Sequence, residues 1–374
     1  MPKNTTIIGF GSPSRYFQGR GQLNKLESYS RGFGTRVLAL IDSFLFPEMT
    51  AHLKSLYAAG DSTITTEAFR KEVTEKEISR VKAVAKKRGA EVFVGIGGGK
   101  TLDTTKAVGH FLDIPIIVAP TTASTDAPCS ALSMVYKENG EYSHALWYPK
   151  NPDLVLVDLD VIIKAPIRFL VAGMGDALST YFEARANQES DSPNYVNYEG
   201  GGYKRTQAAM ELAKLSYKIL LEDGLKAKVA AENGVCTQAL ENVIEANILL
   251  SGLGFENTAY AGAHSIANGL AALSSSHKTL HGEKVAVGVI CQLVIENRPT
   301  EELHRAIDFC LSIGLPITLE ELKVEATGDN IRIIAEESMA FNWLSEPFSV
   351  TSDMVYDAIF ATDRYVLHYK KLKA

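Results

Sequence analysis

The chain has 374 residues, 46% hydrophobic and 22% charged, an ordinary globular composition with enough length for two domains. A formal net charge of −6 and the lack of any basic block argue against nucleic acid or an anionic membrane surface as a partner. No apolar run approaches the roughly 20 residues needed to span a bilayer. The N-terminal MPKNTTIIGFGSP has too short an apolar run to read as a secretory signal. Cys129, Cys236, Cys291 and Cys310 lie far apart with no CxxC pair. Reduced thiols in a cytoplasmic protein are therefore expected, and neither a thiolate zinc site nor a disulfide framework.

The first 160 residues alternate short β-rich runs with helical patterns. Strands are expected at Thr5–Phe10, Thr35–Ile41, Ser62–Thr66, Glu91–Ile96 and Ile114–Ala119, then at Leu132–Tyr136, Ser143–Trp147 and Leu154–Val157. Several are nearly continuous Val/Ile/Leu runs, as in strands covered on both faces. Glu75–Arg88 reads as a helix, with Ile78, Val81, Val84 and Ala85 at helical spacing. Strand–helix alternation of this kind predicts a parallel sheet. From Pro166 onward the periodicity is helical. Helices are expected at Asp176–Arg185, Thr206–Leu221, Cys236–Leu250, His281–Ile295, Glu301–Leu311, Ile331–Ala340 and Met354–Leu367. The polar stretch Asn187–Gly202 reads as an exposed loop. The expected division is an α/β domain over residues 1–162 and an all-α domain over 163–374.

The most informative stretch runs from Glu91 to Asp103, EVFVGIGGGKTLD. A strand enters a glycine cluster and a helix over Thr101–Phe111 follows. Glycines allow close backbone approach, and a helix N-terminus offers N–H groups to an anion, so this is a pyrophosphate cradle. It departs from GxGxxG, because Lys100 stands where the third glycine would be, and from the Walker loop, because Val94 replaces the first glycine. A tight packing turn is the structural alternative. Asp42 closes the run Arg36–Asp42, where a carboxylate can bind adenosine ribose hydroxyls and repel a 2′-phosphate, or else simply cap the next turn. The loop Ala119–Ser130 carries Thr121, Thr122, Ser124, Thr125, Ser130 and Asp126 at a strand end. Its hydroxyls suit phosphate and ribose, and Asp126 suits a polyol hydroxyl.

Three potential metal ligands stand out in the helical half. Asp176 follows Gly173-Met174-Gly175 and is expected to open a helix. His264 lies in the run Tyr260–Gly269, and His281 begins another helix. Two imidazoles and a carboxylate, with a position left for substrate, suit a catalytic zinc or similar ion. The alternatives are an N-cap role for Asp176 and satisfied imidazoles for the histidines. His277, in the polar run Ser274–Lys278, is a rival ligand.

Taken together, these segments resemble the glycerol dehydrogenases of the iron-containing (type III) alcohol dehydrogenase family. Gly95–Thr104, Ala119–Ser133, Gly175-Asp176-Ala177-Leu178, Ala263-His264 and His281–Gly288 carry the resemblance. It implies a dehydroquinate-synthase-like fold, with an N-terminal Rossmann-like α/β nucleotide domain, an all-α C-terminal domain and the active site between them. It implies NAD contacts at Asp42, Gly97, Gly98, Gly99, Lys100, Thr101, Asp103, Thr121, Thr122, Ser124, Ser130, Leu132 and Tyr136. It implies zinc held by Asp176, His264 and His281, Asp126 near the substrate, and homo-oligomers, often octamers. Thr180 and Ala267 stand where family members often carry histidines. The first departure favours zinc over iron, and the second widens the expected substrate from glycerol to related 1,2-diols. The expected reaction is metal-assisted hydride transfer from a small polyol to NAD, giving a hydroxyketone such as dihydroxyacetone. A lyase resembling dehydroquinate synthase is the main rival, although its first metal ligand is Glu where this chain has Asp176.

Overall fold

The computed structural model describes residues 6–373. Among the described residues there are eight strands: β1 (Tyr16–Gly19), β2 (Arg36–Asp42), β3 (Thr63–Phe69), β4 (Val92–Gly97), β5 (Ile116–Pro120), β6 (Leu132–Tyr136), β7 (Tyr142–Trp147) and β8 (Leu154–Asp158). Six of them form a parallel sheet in the order β1-β8-β5-β4-β2-β3. The other two, β6 and β7, form a separate antiparallel hairpin with an irregularity at Val135/Tyr136. Alternate residues of the central strands enter two different cores. Val37, Ala39, Ile41, Val92, Val94 and Ile96 pack on one face with Leu53 and Tyr57. Leu38, Leu40 and Phe93 pack on the other with Ile78, Val81, Ala85, Ala107 and Val108. Burial on both faces explains the unbroken apolar runs.

The strand order reverses beside β2. Its sequence successor β3 lies on one side, whereas β4 lies on the other and leads to β5 and β8. Such a switch point opens a crevice at the carboxyl ends of the flanking strands, where open α/β sheets bind ligands. Ile41 pairs with Ile96, so Asp42 and Gly97 flank that crevice.

The helix Glu75–Arg88 has the bounds its sequence predicts. Thr74 accepts a hydrogen bond from the Glu77 N–H, and Gly89 ends the helix at φ 61°. Two expectations fail in this half. Thr5 lies outside the described residues, and the rest of the expected strand Thr5–Phe10 makes only a single bridge, Ile8 to Lys204. Ile7 and Ile8 are largely exposed, so no core holds that segment in a sheet. Conversely, the edge strand β1 was not expected, because YFQG is short and shows no alternation.

Among the described residues from Ile167 onward there is no strand, and helices dominate. The helix expected at Asp176–Arg185 is much longer, Ile167–Ser190. Asp176 therefore sits in its interior and does not open or cap it. Gly173 and Gly175 look like helix breakers in sequence, but Gly175 is required by packing: a methyl there would stand 2.4 Å from the Gly282 carbonyl oxygen. The stretch Asn187–Gly202 is not a fully exposed loop either. Its first residues finish that helix, and Asn187, Asn194 and Tyr195 are buried. The chain divides into two compact units. One comprises Gly11–Pro166 with Gly234–Cys236, and the other Ile167–Asn233 and Thr237–Ala374 with the described residues of Met1–Phe10.

Within the helical unit, close backbone approach sets the spacing of three helices. A methyl on Gly282, in helix His281–Ile295, would lie 1.8 Å from the Ala172 carbonyl oxygen of helix Ile167–Ser190. A methyl on Gly288 would lie 2.1 Å from the Ala263 carbonyl oxygen of helix Gly262–Ala271. Gly282→Ala is therefore expected to force the first pair apart and destabilise the metal-free protein by about 1–3 kcal/mol or more. A urea denaturation midpoint equal to that of the native chain would show that the pair tolerates a wider spacing.

Candidate functional site

The three helices carry the three expected metal ligands. Asp176 is buried in the middle of Ile167–Ser190, His264 is the third residue of Gly262–Ala271, and His281 is the first of His281–Ile295. Nε2 of His264 and Nε2 of His281 each lie 3.4 Å from Asp176 Oδ1. One donor atom from each residue falls within 4.8 Å of the others, and among the described residues this is the one such group of His, Cys, Asp and Glu. An ion bonded at about 2.1 Å in tetrahedral geometry has ligand–ligand edges of about 3.4 Å, so the donor set fits a zinc-sized cation. His281 is the exposed member, which leaves its side of the cluster open to solvent. His277 is exposed on a turn, Ser274–Lys278, and does not belong to the group. Thr180, one turn after Asp176, bonds Ser251 at 2.8 Å and adds no fourth ligand.

Electrostatics agree with a cation site. Burial opposes ionisation of Asp176, but His281 and His264 hold its carboxyl well below the usual range. Burial also opposes charge on His264, yet Glu183 and Asp176 outweigh it and hold the imidazole well above its ordinary value. A cluster in which two carboxylates surround imidazoles attracts positive charge.

In the α/β unit the glycine cluster divides its labour. Methyls on Gly95 and Gly97 would strike Thr105 and Thr101 at 2.2 and 2.6 Å, so these glycines let strand and helix pack closely. A methyl on Gly98 would meet nothing within 4 Å. Gly98 precedes helix Gly99–Leu112, whose first turn has no acidic residue and no side-chain cap. That is an open helix N-terminus suited to an anion. Thr101 is buried beneath Gly97, so any ligand contact there comes from its backbone. Lys100 Nζ bonds Glu72 at 2.6 Å. Asp103 is buried, paired with Lys106 at 2.9 Å and bonded to the Met134 N–H, which ties the helix to the β6–β7 hairpin. Leu132 and Tyr136 are the ends of β6. Asp42 Oδ1 caps the Phe44 N–H at 3.0 Å. In the hydroxyl-rich loop the Thr121 N–H bonds the Gly97 carbonyl, and Thr122 bonds Ser124 at 3.0 Å. Ser130 donates to the Ala127 carbonyl, and Asp126 is buried just before the short turn Ala127–Cys129.

Residues 13–159 match the family described as iron-containing alcohol dehydrogenase. The chain is 43% identical to the glycerol dehydrogenase of Citrobacter freundii, covering 94% of this chain and 96% of that one. It is 39% identical to the glycolaldehyde reductase of Halobacterium salinarum, covering 95% and 96% of the two chains. The crystal structure of a probable glycerol dehydrogenase from Sinorhizobium meliloti 1021 superimposes with a TM-score of 0.91 at 44% identity, over 97% of this chain and 100% of that one. The chain belongs to the iron-containing alcohol dehydrogenase family. It is an NAD-dependent oxidoreductase, and its donor cluster fits the metal dependence of that family.

This family member also has a set of residues around the cluster that sequence reasoning did not single out. The N–H groups at the start of helix Gly262–Ala271 are capped by side chains from three distant segments. Glu183 Oε1 accepts from Ala261 and His264, Glu346 Oε1 from Gly262, and Gln292 Oε1 from Ala263, all at 2.8–2.9 Å. Only Glu183 left a signal in sequence: it follows Asp176 by seven residues, two helical turns along the same face.

Burial, then the nearby Glu296 carboxylate, pushes Glu346 up to about 8 from an ordinary 4.5. The folded chain therefore holds a proton that the unfolded chain releases between those values, so this group weakens stability as pH rises through that window. Glu346→Gln is expected to flatten the fall and to raise the melting temperature above that of the native chain at about pH 9, but not at about pH 4. Thermal unfolding at the two pH values tests this, and parallel curves for both proteins would contradict it.

Proposed function

We propose that the chain oxidises small vicinal diols, glycerol among them, to hydroxyketones with NAD and a zinc ion. The convergence of Asp176, His264 and His281 in a chain of this family is the observation that supports it most directly. A zinc ion held there would supply Lewis acidity toward a substrate hydroxyl, whose proton would pass to solvent, and a bound NAD would be the acceptor for the hydride of the carbon bearing that hydroxyl. The chain's own residues do the rest. One carboxylate and two neutral imidazoles hold the ion while leaving it net positive charge. Among the described residues the group includes no thiolate and no fourth ligand, which favours a catalytic zinc site over a structural one. At the switch point, the open helix start at Gly98–Lys100 holds the pyrophosphate, and Asp42 accepts from the adenosine ribose hydroxyls. Thr121, Thr122, Ser124, Ser130, Leu132 and Tyr136 border the cofactor, and Asp126 orients the substrate hydroxyls.

The Halobacterium salinarum relative supports a second direction, reduction of a small hydroxyaldehyde. A panel of polyols and hydroxycarbonyls with NAD or NADH, followed at the NADH absorbance, separates the two. Net NADH production from a diol, or net NADH consumption with a hydroxycarbonyl, also separates the redox readings from the lyase reading. We further propose a cytoplasmic homo-oligomer, octameric as the family resemblance implies. Free cysteines support the compartment, and exposed Leu215, Leu225 and Val229 on helix Gln207–Glu232 support assembly.

Chelation is expected to abolish turnover while leaving the fold intact, and added zinc to restore it. His281→Ala is expected to cost several orders of magnitude in kcat, and His277→Ala far less. Turnover that survives loss of His281 but not of His277 would move the metal to the other histidine. Asp42→Gly is expected to narrow the preference for NAD over NADP, because it removes the carboxylate that meets a 2′-phosphate. Equal kcat/KM for both cofactors in the native chain would refute that role.

A further inference from the structure

We propose that Glu183 is a positioning residue that fixes the tautomer of His264 and thereby sets the affinity of the Asp176–His264–His281 cluster for its metal. The inference rests on the reading of those three residues as metal ligands.

Glu183 lies on helix Ile167–Ser190 and is buried. Its Oε2 is 2.7 Å from Nδ1 of His264. An ionised carboxylate can only accept hydrogen bonds, so Nδ1 must carry the proton. Once the ring is neutral, as a metal ligand must be, the bare nitrogen is Nε2, the atom that lies 3.4 Å from Asp176 Oδ1. In the opposite tautomer two lone pairs would face each other across that 2.7 Å, and Nε2 would carry a hydrogen where an ion must bind. Ser179 Oγ donates its hydrogen to the Asp176 carbonyl at 2.8 Å, so it can only accept from Nδ1, and at 3.5 Å it does so far more weakly than Glu183 at 2.7 Å.

The carboxylate is itself held in place. Oε1 accepts from the N–H of Ala261 at 2.8 Å and of His264 at 2.9 Å. One side chain thus fixes the backbone position of His264 with one oxygen and its ring with the other. Positioning of this kind raises the basicity of the ligand nitrogen and orients it. The negative charge also offsets the positive end of helix Gly262–Ala271, of which His264 is the third residue.

Glu183→Gln separates this role from simple capping. The amide oxygen can still accept from both backbone N–H groups, so the helix start is kept. The amide nitrogen can only donate to Nδ1, which demands the wrong tautomer for metal binding. Glu346→Ala does the reverse: it removes a cap of the same helix at Gly262 and leaves His264 Nδ1 untouched. The metal-free protein would be titrated with Co2+, following heat and the visible absorption of the bound ion, and melted without metal. Glu183→Gln is expected to weaken Co2+ binding roughly 10- to 100-fold with little change in melting temperature. Glu346→Ala is expected to lower the melting temperature and leave Co2+ affinity close to native. Native affinity in folded Glu183→Gln, or equal weakening in Glu346→Ala, overturns the proposal. If the native chain binds no divalent ion, the metal reading itself fails. Should Glu183→Gln not fold, nitrogen-15 resonances of histidine in the zinc-loaded native protein decide the matter. A proton on His264 Nδ1 with the metal on Nε2 supports the proposal, and metal on Nδ1 overturns it.

Discussion

The donor cluster depends on backbones that touch. Gly282 meets the Ala172 carbonyl and Gly288 meets the Ala263 carbonyl, with no room for a methyl at either contact. Close packing of this kind leaves little freedom to slide or rotate. It brings residues from positions 176, 264 and 281 to within 4.8 Å of one another although they are far apart in sequence. Each of the three candidate ligands sits on a helix, a rigid support suited to a preformed site. Asp176 in the middle of a long helix is a stiffer support than an N-cap would be.

Two helix N-termini in this chain are prepared for opposite charges. Helix Gly99–Leu112 begins at bare glycines, with no acidic residue in its first turn and no side-chain cap. Its unsatisfied N–H groups and positive dipole end favour an anion. Helix Gly262–Ala271 begins under Glu183, Glu346 and Gln292, which take up the equivalent N–H groups. The Glu183 carboxylate offsets the positive end that would otherwise repel a cation beside His264. An anion and a cation need opposite local fields, and the same backbone feature can favour either according to what caps it.

Burial of the carboxylates has a consequence for the network. Glu346 and Glu296 lie close enough for one to push the other's proton affinity up, while Arg185 and Arg298 pair with Glu296. Protonated Glu346 can cap a helix without adding another full charge to a region that already holds Glu183 and Asp176.

Much of this was present in the amino-acid order alone. The continuous apolar runs of β2, β4, β5 and β8 reflect burial on both faces of a parallel sheet. Helix Glu75–Arg88 carries its own cap signals in Thr74 and Gly89. The glycine cluster, Asp42 and the three candidate metal ligands could be named from the sequence, but local pattern left an alternative open for each and the family resemblance carried the choice. Tertiary structure decided the rest. The short edge strand β1 exists through pairing with β8, which no periodicity in YFQG announces. Gly173 and Gly175 read locally as breakers, but packing against Gly282 makes Gly175 a necessity within a helix, and this moved Asp176 from a helix start to its interior. Gln292 and Glu346 cap a helix from far along the chain. Periodicity records which face of an element is buried; it does not record which distant N–H a buried polar group will satisfy, because that partner exists only once the helices have packed.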